Sequence, residues 1–176
     1  MEKGYVQIYT GNGKGKTTAA LGLGLRAAGN KFKVYMIQFL KTSPTGELES
    51  IKNLEPYFKV FRFESSKNFF WNLNDEEKKL LKKEVDQAYD FIMDTIKTEA
   101  CDVLILDEIL GALANKLIEE REIIDIIDKK PKSMELILTG RNAPEGLIER
   151  ADLVTEMKDV KHYMNEGIAA RKGIEY

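Results

Sequence analysis

The stretch Thr10-Gly11-Asn12-Gly13-Lys14-Gly15-Lys16-Thr17-Thr18 has the residue types and spacing to hold a phosphate. Glycines let the backbone curl so that several N–H groups point at one anion, and a helix that starts at the loop adds partial positive charge. In such a loop Lys16 reaches the terminal phosphates and the Thr17 hydroxyl reaches a magnesium ion. The Walker pattern asks for glycine four residues before Gly-Lys-Thr, and here that position is Thr10. The loop is therefore a variant, with Gly11 and Gly13 expected to carry the turn.

Other residues could complete that chemistry. Asp107-Glu108 closes an apolar run, where phosphate-loop proteins keep a magnesium-binding carboxylate. Neighbouring side chains on a strand point to opposite sides, so the two acids need not share a role. Metal binding is assigned to at least one of them; the competing role is a helix cap. Arg141 follows Thr139-Gly140 and could neutralise charge on a phosphate leaving group, or simply pair on the surface. Phe69-Phe70-Trp71 is an aromatic run inside a long connection, readable as core packing or as a flat apolar binding surface. His162 is the sole histidine, which argues against a histidine triad or a histidine-ligated metal. Cys101 is the sole cysteine, so no intrachain disulfide forms, and its apolar neighbours suit a buried structural thiol.

Short apolar runs alternating with helical stretches must position these groups, a pattern for an α/β fold with a mainly parallel sheet. Strands are expected at Tyr5–Tyr9, Lys33–Phe39, Lys59–Phe63, Asp102–Leu106, Met134–Thr139 and Asp152–Glu156. The unbroken run Val103-Leu104-Ile105-Leu106 fits a central strand covered on both faces. Helices are expected at Lys16–Ala28, Gly46–Leu54, Asp75–Thr98, Ile109–Leu117, Glu119–Asp128 and Pro144–Arg150. Asn74 and Glu77 spell a capping box for the longest, whose apolar stripe is Leu81, Val85, Ala88, Ile92 and Ile96. Its Lys78, Lys79, Lys82 and Lys83 form a solvated face. Small residues Ala19, Ala20, Gly22 and Gly24 let the first helix approach the sheet closely. An extra strand is expected near Gly173–Tyr176. In open parallel sheets ligands bind beyond the carboxyl ends of the strands, so the groups above should share one edge.

The 176 residues are expected to form a single domain, residues 1–176, large enough for its own core. A net charge of −2 argues against a nucleic-acid binder that relies on basicity. No apolar run approaches a membrane span and no signal peptide precedes the first strand, so the expected location is cytoplasmic with no membrane partner.

The phosphate loop, Gln38-Phe39-Leu40-Lys41, the Phe69-x-Trp71 spacing, Leu106-Asp107-Glu108, Thr139-Gly140-Arg141-Asn142-Ala143-Pro144, Val160-Lys161-His162 and Gly173-Ile174-Glu175-Tyr176 occur in one order. That ordered set resembles the P-loop ATP:corrinoid adenosyltransferases, the cob(I)alamin adenosyltransferase type. The resemblance implies a P-loop NTPase-like (RecA-like) fold with helices on both faces, commonly a homodimer. It implies transfer of the 5′-deoxyadenosyl group of ATP to the cobalt of a reduced corrinoid, with triphosphate released. It also implies Gly11 to Thr18 on the triphosphate, Thr17 and Glu108 on Mg2+, and Phe69 and Trp71 facing the corrin ring in place of its lower axial ligand. A reduced flavoprotein is the implied electron donor. Some family members carry an N-terminal extension that helps cover the site; here four residues precede the first strand.

Overall fold

A computed structural model describes residues 2–41, 43–65, 68 and 70–176. Six strands build one sheet: β1 (Val6–Thr10), β2 (Val34–Gln38), β3 (Phe58–Phe61), β4 (Val103–Asp107), β5 (Glu135–Thr139) and β6 (Leu153–Glu156). Their order is β3-β2-β4-β5-β1-β6, and every pairing is parallel. All six expected strands are present, with ends shifted by at most two residues. β4 and β5 are buried at every position, as an apolar run without alternation requires. β6 lies at the edge and is exposed throughout.

The helices are α1 (Lys16–Gly29), α2 (Gly46–Lys52), α3 (Asp75–Lys97), α4 (Ile109–Ala114), α5 (Glu120–Lys129) and α6 (Glu145–Ile148). They divide between the two faces of the sheet. Ala20 and Ala28 of α1 and Ile51 of α2 pack with Met36, Phe58 and Ile105 in one layer. The stripe Leu81, Val85, Ala88, Ile92 and Ile96 of α3 packs with α4 and α5 in the other. The capping box is formed: the Asn74 side chain accepts from Glu77 N–H, and Glu77 accepts from Asn74 N–H. Close approach of α1 to the sheet rests on Gly24, where a Cβ would stand 2.6 Å from Phe58 Cε1; Gly22 faces open space.

The expected strand at Gly173–Tyr176 is not formed. Ile174 N–H at 3.2 Å and Glu175 N–H at 2.9 Å both donate to Arg171 O, which closes a turn instead, with Gly173 at φ 77°. Among the described residues, no helix is long and apolar enough to cross a membrane.

Candidate active site

Register fixes which residues meet at the carboxyl edge. Gln38 pairs with Asp107 across β2 and β4, Tyr9 with Thr139 across β1 and β5, and Thr10 with Glu156 across β1 and β6. β5 lies between the loop-bearing β1 and the acid-bearing β4. Two strand spacings of about 4.8 Å put the loop and the acid roughly 10 Å apart at sheet level. The first turn of α1 closes that gap: Thr17 Oγ1 donates to Asp107 Oδ1 at 2.9 Å.

The loop owes its path to two glycines in left-handed conformations, Gly11 at φ 101° and Gly15 at φ 120°. Gly13, expected to carry the turn, serves a different need. A Cβ there would stand 2.7 Å from the Lys158 carbonyl and 2.8 Å from Met157 O. Its N–H donates to Met157 O at 2.7 Å, so the chain after β6 lies directly against the loop. Thr10 ends β1 as a buried residue and accepts from Ala143 N–H at 3.3 Å, tying the loop strand to the segment after β5.

Lys16 Nζ donates to Gly11 O at 2.7 Å and Gly13 O at 2.8 Å. Burial lowers its pKa, the charge of Glu108 raises it, and Arg141 lowers it further. Lys14 turns to the tail instead, where its ammonium meets Tyr163 Oη at 2.9 Å and Glu175 Oε1 at 2.7 Å. Glu175 also accepts from Tyr163 Oη and from Arg171, and these donors hold its carboxyl well below the usual range.

Asp107 is fully buried. Besides Thr17, it accepts from Thr139 Oγ1 at 2.8 Å on Oδ1 and from Gln38 Nε2 at 3.3 Å on Oδ2. Glu108 follows in the left-handed region at φ 62°, an uncommon place for a residue with a side chain. Its N–H donates to Thr139 Oγ1 at 2.9 Å, so one threonine fixes both acids. Gly111 leaves the room that Glu108 occupies: a Cβ there would be 2.7 Å from Glu108 Oε1. Burial raises the Glu108 pKa, Asp107 raises it further, and Lys41, Lys16 and Arg141 oppose them. Charge from three chain segments, at Lys41, Lys16 and Arg141, thus bears on one carboxylate that lines the same cavity.

Lys16, Thr17, Glu108, Arg141, Phe70 and Trp71 line one cavity of ≈ 1100 Å³. Phe70–Asn72 form a short 3-10 turn. Phe70 is half-buried against the core, which matches the packing role, whereas Trp71 is 75% exposed. Phe69 lies outside the described residues. His162 and the tail residues Gly173 to Tyr176 also line the cavity. His162 Nδ1 accepts from Met164 N–H at 3.1 Å. Cys101 is buried at the far side of the core, where burial pushes its thiol up to about 12.

A family model described as ATP:corrinoid adenosyltransferase BtuR/CobO/CobP matches residues 2–176. The chain belongs to this family. Corrinoid adenosyltransferases similar to it include one from Pseudomonas aeruginosa, 34% identical over 99% of this chain and 85% of that protein. Another, from Sinorhizobium sp, is 36% identical over 99% of this chain and 81% of that protein, and one from Escherichia coli K12 is 32% identical over 99% and 87%. Among solved structures, a KaiC-like protein from Pyrococcus horikoshii OT3 is similar in fold, with TM-score 0.55 and 18% identity over 90% of this chain and 74% of that one. The fold is thus P-loop NTPase-like, and the chain is an enzyme of the corrinoid adenosyltransferase class.

Within this adenosyltransferase framework the structure gathers Lys16, Thr17, Glu108, Arg141 and Trp71 around one cavity and turns Lys14 toward the tail. The residues alone left open which acid binds metal, and the resemblance paired Glu108 with Thr17; the Thr17 hydroxyl contacts Asp107. Thr139 and Gln38, polar side chains that close apolar strands at the ligand edge, hold Asp107 from the two neighbouring strands. The docking of the tail on Lys14 had no local signal.

Proposed function

We propose that the chain transfers the 5′-deoxyadenosyl group of ATP to the cobalt of a reduced corrinoid and releases intact triphosphate. The observation that carries this reading is one cavity lined both by the phosphate loop and by an exposed indole. A phosphotransferase or hydrolase needs the first feature and has no use for the second. In the proposed step the cobalt(I) lone pair attacks C5′, the Co–C bond forms, and the C5′–O bond breaks. Its electron pair leaves with triphosphate, so no protein nucleophile and no proton transfer are needed.

The residues then act by position and charge. Gly11 to Thr18 hold the triphosphate, Lys16 and Arg141 stabilise it as it leaves, and in-line orientation of C5′ supplies much of the rate. Thr17, Glu108 and Asp107 are the residues that would hold Mg2+. Their donors are a hydroxyl and carboxylates, which suit a hard cation that keeps water and phosphate oxygens as its remaining ligands. The bound ion would neutralise phosphate charge. Trp71, with Phe69, is assigned to the corrin face left by the lower ligand. A four-coordinate cobalt has a lower empty orbital and accepts an electron more easily. A reduced flavoprotein donor, a homodimer, a single domain over residues 1–176 and a cytoplasmic setting complete the reading.

ATP deuterated at C5′ tests it. Adenosyl transfer puts the label in the corrinoid product, as read by mass spectrometry. Label recovered only in ADP or AMP would contradict the proposal and favour hydrolysis.

A further inference from the structure

Glu64 lines the same cavity and has no part in the chemistry above. It lies just beyond β3 in a segment pinned from both sides. On one side, Arg62 donates from Nε to Gln38 Oε1 at 2.8 Å and from Nη1 to Ser43 O at 2.8 Å. On the other, Ser65 donates its N–H and its hydroxyl to Oε1 of Glu84 on α3, a carboxylate that is only 8% exposed. Between these anchors the Glu64 carboxylate reaches across the sheet edge and accepts from Leu40 N–H at 2.7 Å. Leu40 is left-handed, φ 55°, one residue after sheet pairing ends with Phe39 N–H on Asp107 O at 2.9 Å. A leucine holds that conformation only when its surroundings impose it. Lys41, the next residue, lines the cavity and acts on Glu108.

We propose that Glu64 is a positioning residue for the corrinoid: its carboxylate braces the Leu40 turn and so sets where Leu40 and Lys41 stand in the wall of the cavity that Trp71 also lines. This rests on the corrinoid reading above. Brace strength then depends on charge, because a carboxylate accepts from an N–H more strongly than a carboxylic acid does. Every charged neighbour bears on that ionisation. Burial raises the Glu64 pKa, the Leu40 N–H lowers it, Glu84 on α3 raises it and Arg62 beside β3 lowers it, and together they leave it at about 7. The brace therefore tightens as pH rises through neutrality.

The test uses the full chain, with Glu64→Gln and Glu64→Ala. In the wild type, the Leu40 amide resonance should titrate with a midpoint near 7. That titration should vanish in Glu64→Gln, whose amide can still accept the hydrogen bond. In steady-state assays Glu64→Ala should raise KM for chemically reduced cobalamin by about tenfold, the loss of one charge-assisted hydrogen bond. MgATP, on which Lys41 bears only through Glu108, should lose less affinity than cobalamin. Wild-type KM for cobalamin should fall between pH 6 and 8, and that of Glu64→Gln should stay flat. A Leu40 amide that does not titrate, or equal losses for MgATP and cobalamin, would overturn the brace. If the wild type made no adenosylcorrinoid, the functional reading would fail; the amide titration would still decide whether Glu64 holds the turn, and the corrinoid assignment would be overturned.

Discussion

Replacing Asp107 by Asn separates the structural and chemical duties of the buried acid. Asp107 takes two hydroxyl donors on Oδ1, from Thr17 at 2.9 Å and Thr139 at 2.8 Å, and one amide donor on Oδ2, from Gln38 Nε2 at 3.3 Å. In Asn, Oδ1 keeps both hydroxyls, but Nδ2 then faces Gln38 Nε2, donor against donor. Rotating the Gln38 amide cures that clash and removes the acceptor for Arg62 Nε, now 2.8 Å from Gln38 Oε1. Either way one donor loses its partner, and a buried unpaired donor costs about 1–3 kcal/mol. With an m-value of about 2 kcal/mol/M, the urea midpoint should fall by roughly 0.5–1.5 M. The lost negative charge beside Thr17 should separately lower the adenosylation rate by on the order of 10²–10³, as removal of one aimed electrostatic partner does. Thr139→Val is the matched control. It strips a hydrogen bond from Asp107 and from the Glu108 N–H but leaves both charges, so stability should fall comparably and rate much less. Urea unfolding and MgATP-dependent turnover at saturating reduced cobalamin read the two effects. An Asp107→Asn protein with an unshifted midpoint and near-wild-type turnover would refute both the hydrogen-bond argument and the charge argument.

Lys16→Ala should reduce turnover by on the order of 10²–10³; near-normal activity would remove Lys16 from the site. Trp71→Ala should slow turnover from cobalt(II) more than turnover from pre-reduced cobalt(I), and equal losses would mean that the indole only packs or binds. Gly111→Ala puts a methyl 2.7 Å from Glu108 Oε1 and 3.0 Å from its Cγ. Displacing that carboxylate should cost up to about 10² in kcat, the scale of a misplacement near 1 Å, and an unchanged kcat would show that Glu108 is not needed where it stands. Glu64→Gln should raise stability at pH 8 and leave it nearly unchanged at pH 4. A carboxyl raised to about 7 from a usual value near 4.3 contributes stability below 4.3 that is lost as pH rises through 7. Thermal melts at the two pH values read this, and parallel shifts at both would contradict it.

Much of this was legible in the chain. The unbroken run Val103 to Leu106 gave a central strand, Asn74 and Glu77 gave a helix start, and loop plus helix gave the phosphate-loop lining of the cavity. What escaped depended on backbone geometry or on contacts across long separations. A left-handed Glu108 has no one-residue signature, and without it the residues alone could not tell the two acids apart; only the resemblance chose Glu108. Gly13 looked like a turn residue because its real constraint, the Met157–Lys158 backbone, lies far along the chain. The last residues looked like a strand because their apolar character was visible, whereas the docking of Glu175 on Lys14 was not. Glu64 looked like any charged residue in a connection until Leu40 and Glu84 were placed beside it.

The central claim is that triphosphate leaves whole. The protein, Mg-ATP and chemically reduced cobalamin should yield adenosylcobalamin, followed by its absorbance, with one triphosphate for each adenosyl group formed. ADP with phosphate, or ATP consumption without a cobalt–carbon product, would contradict the account.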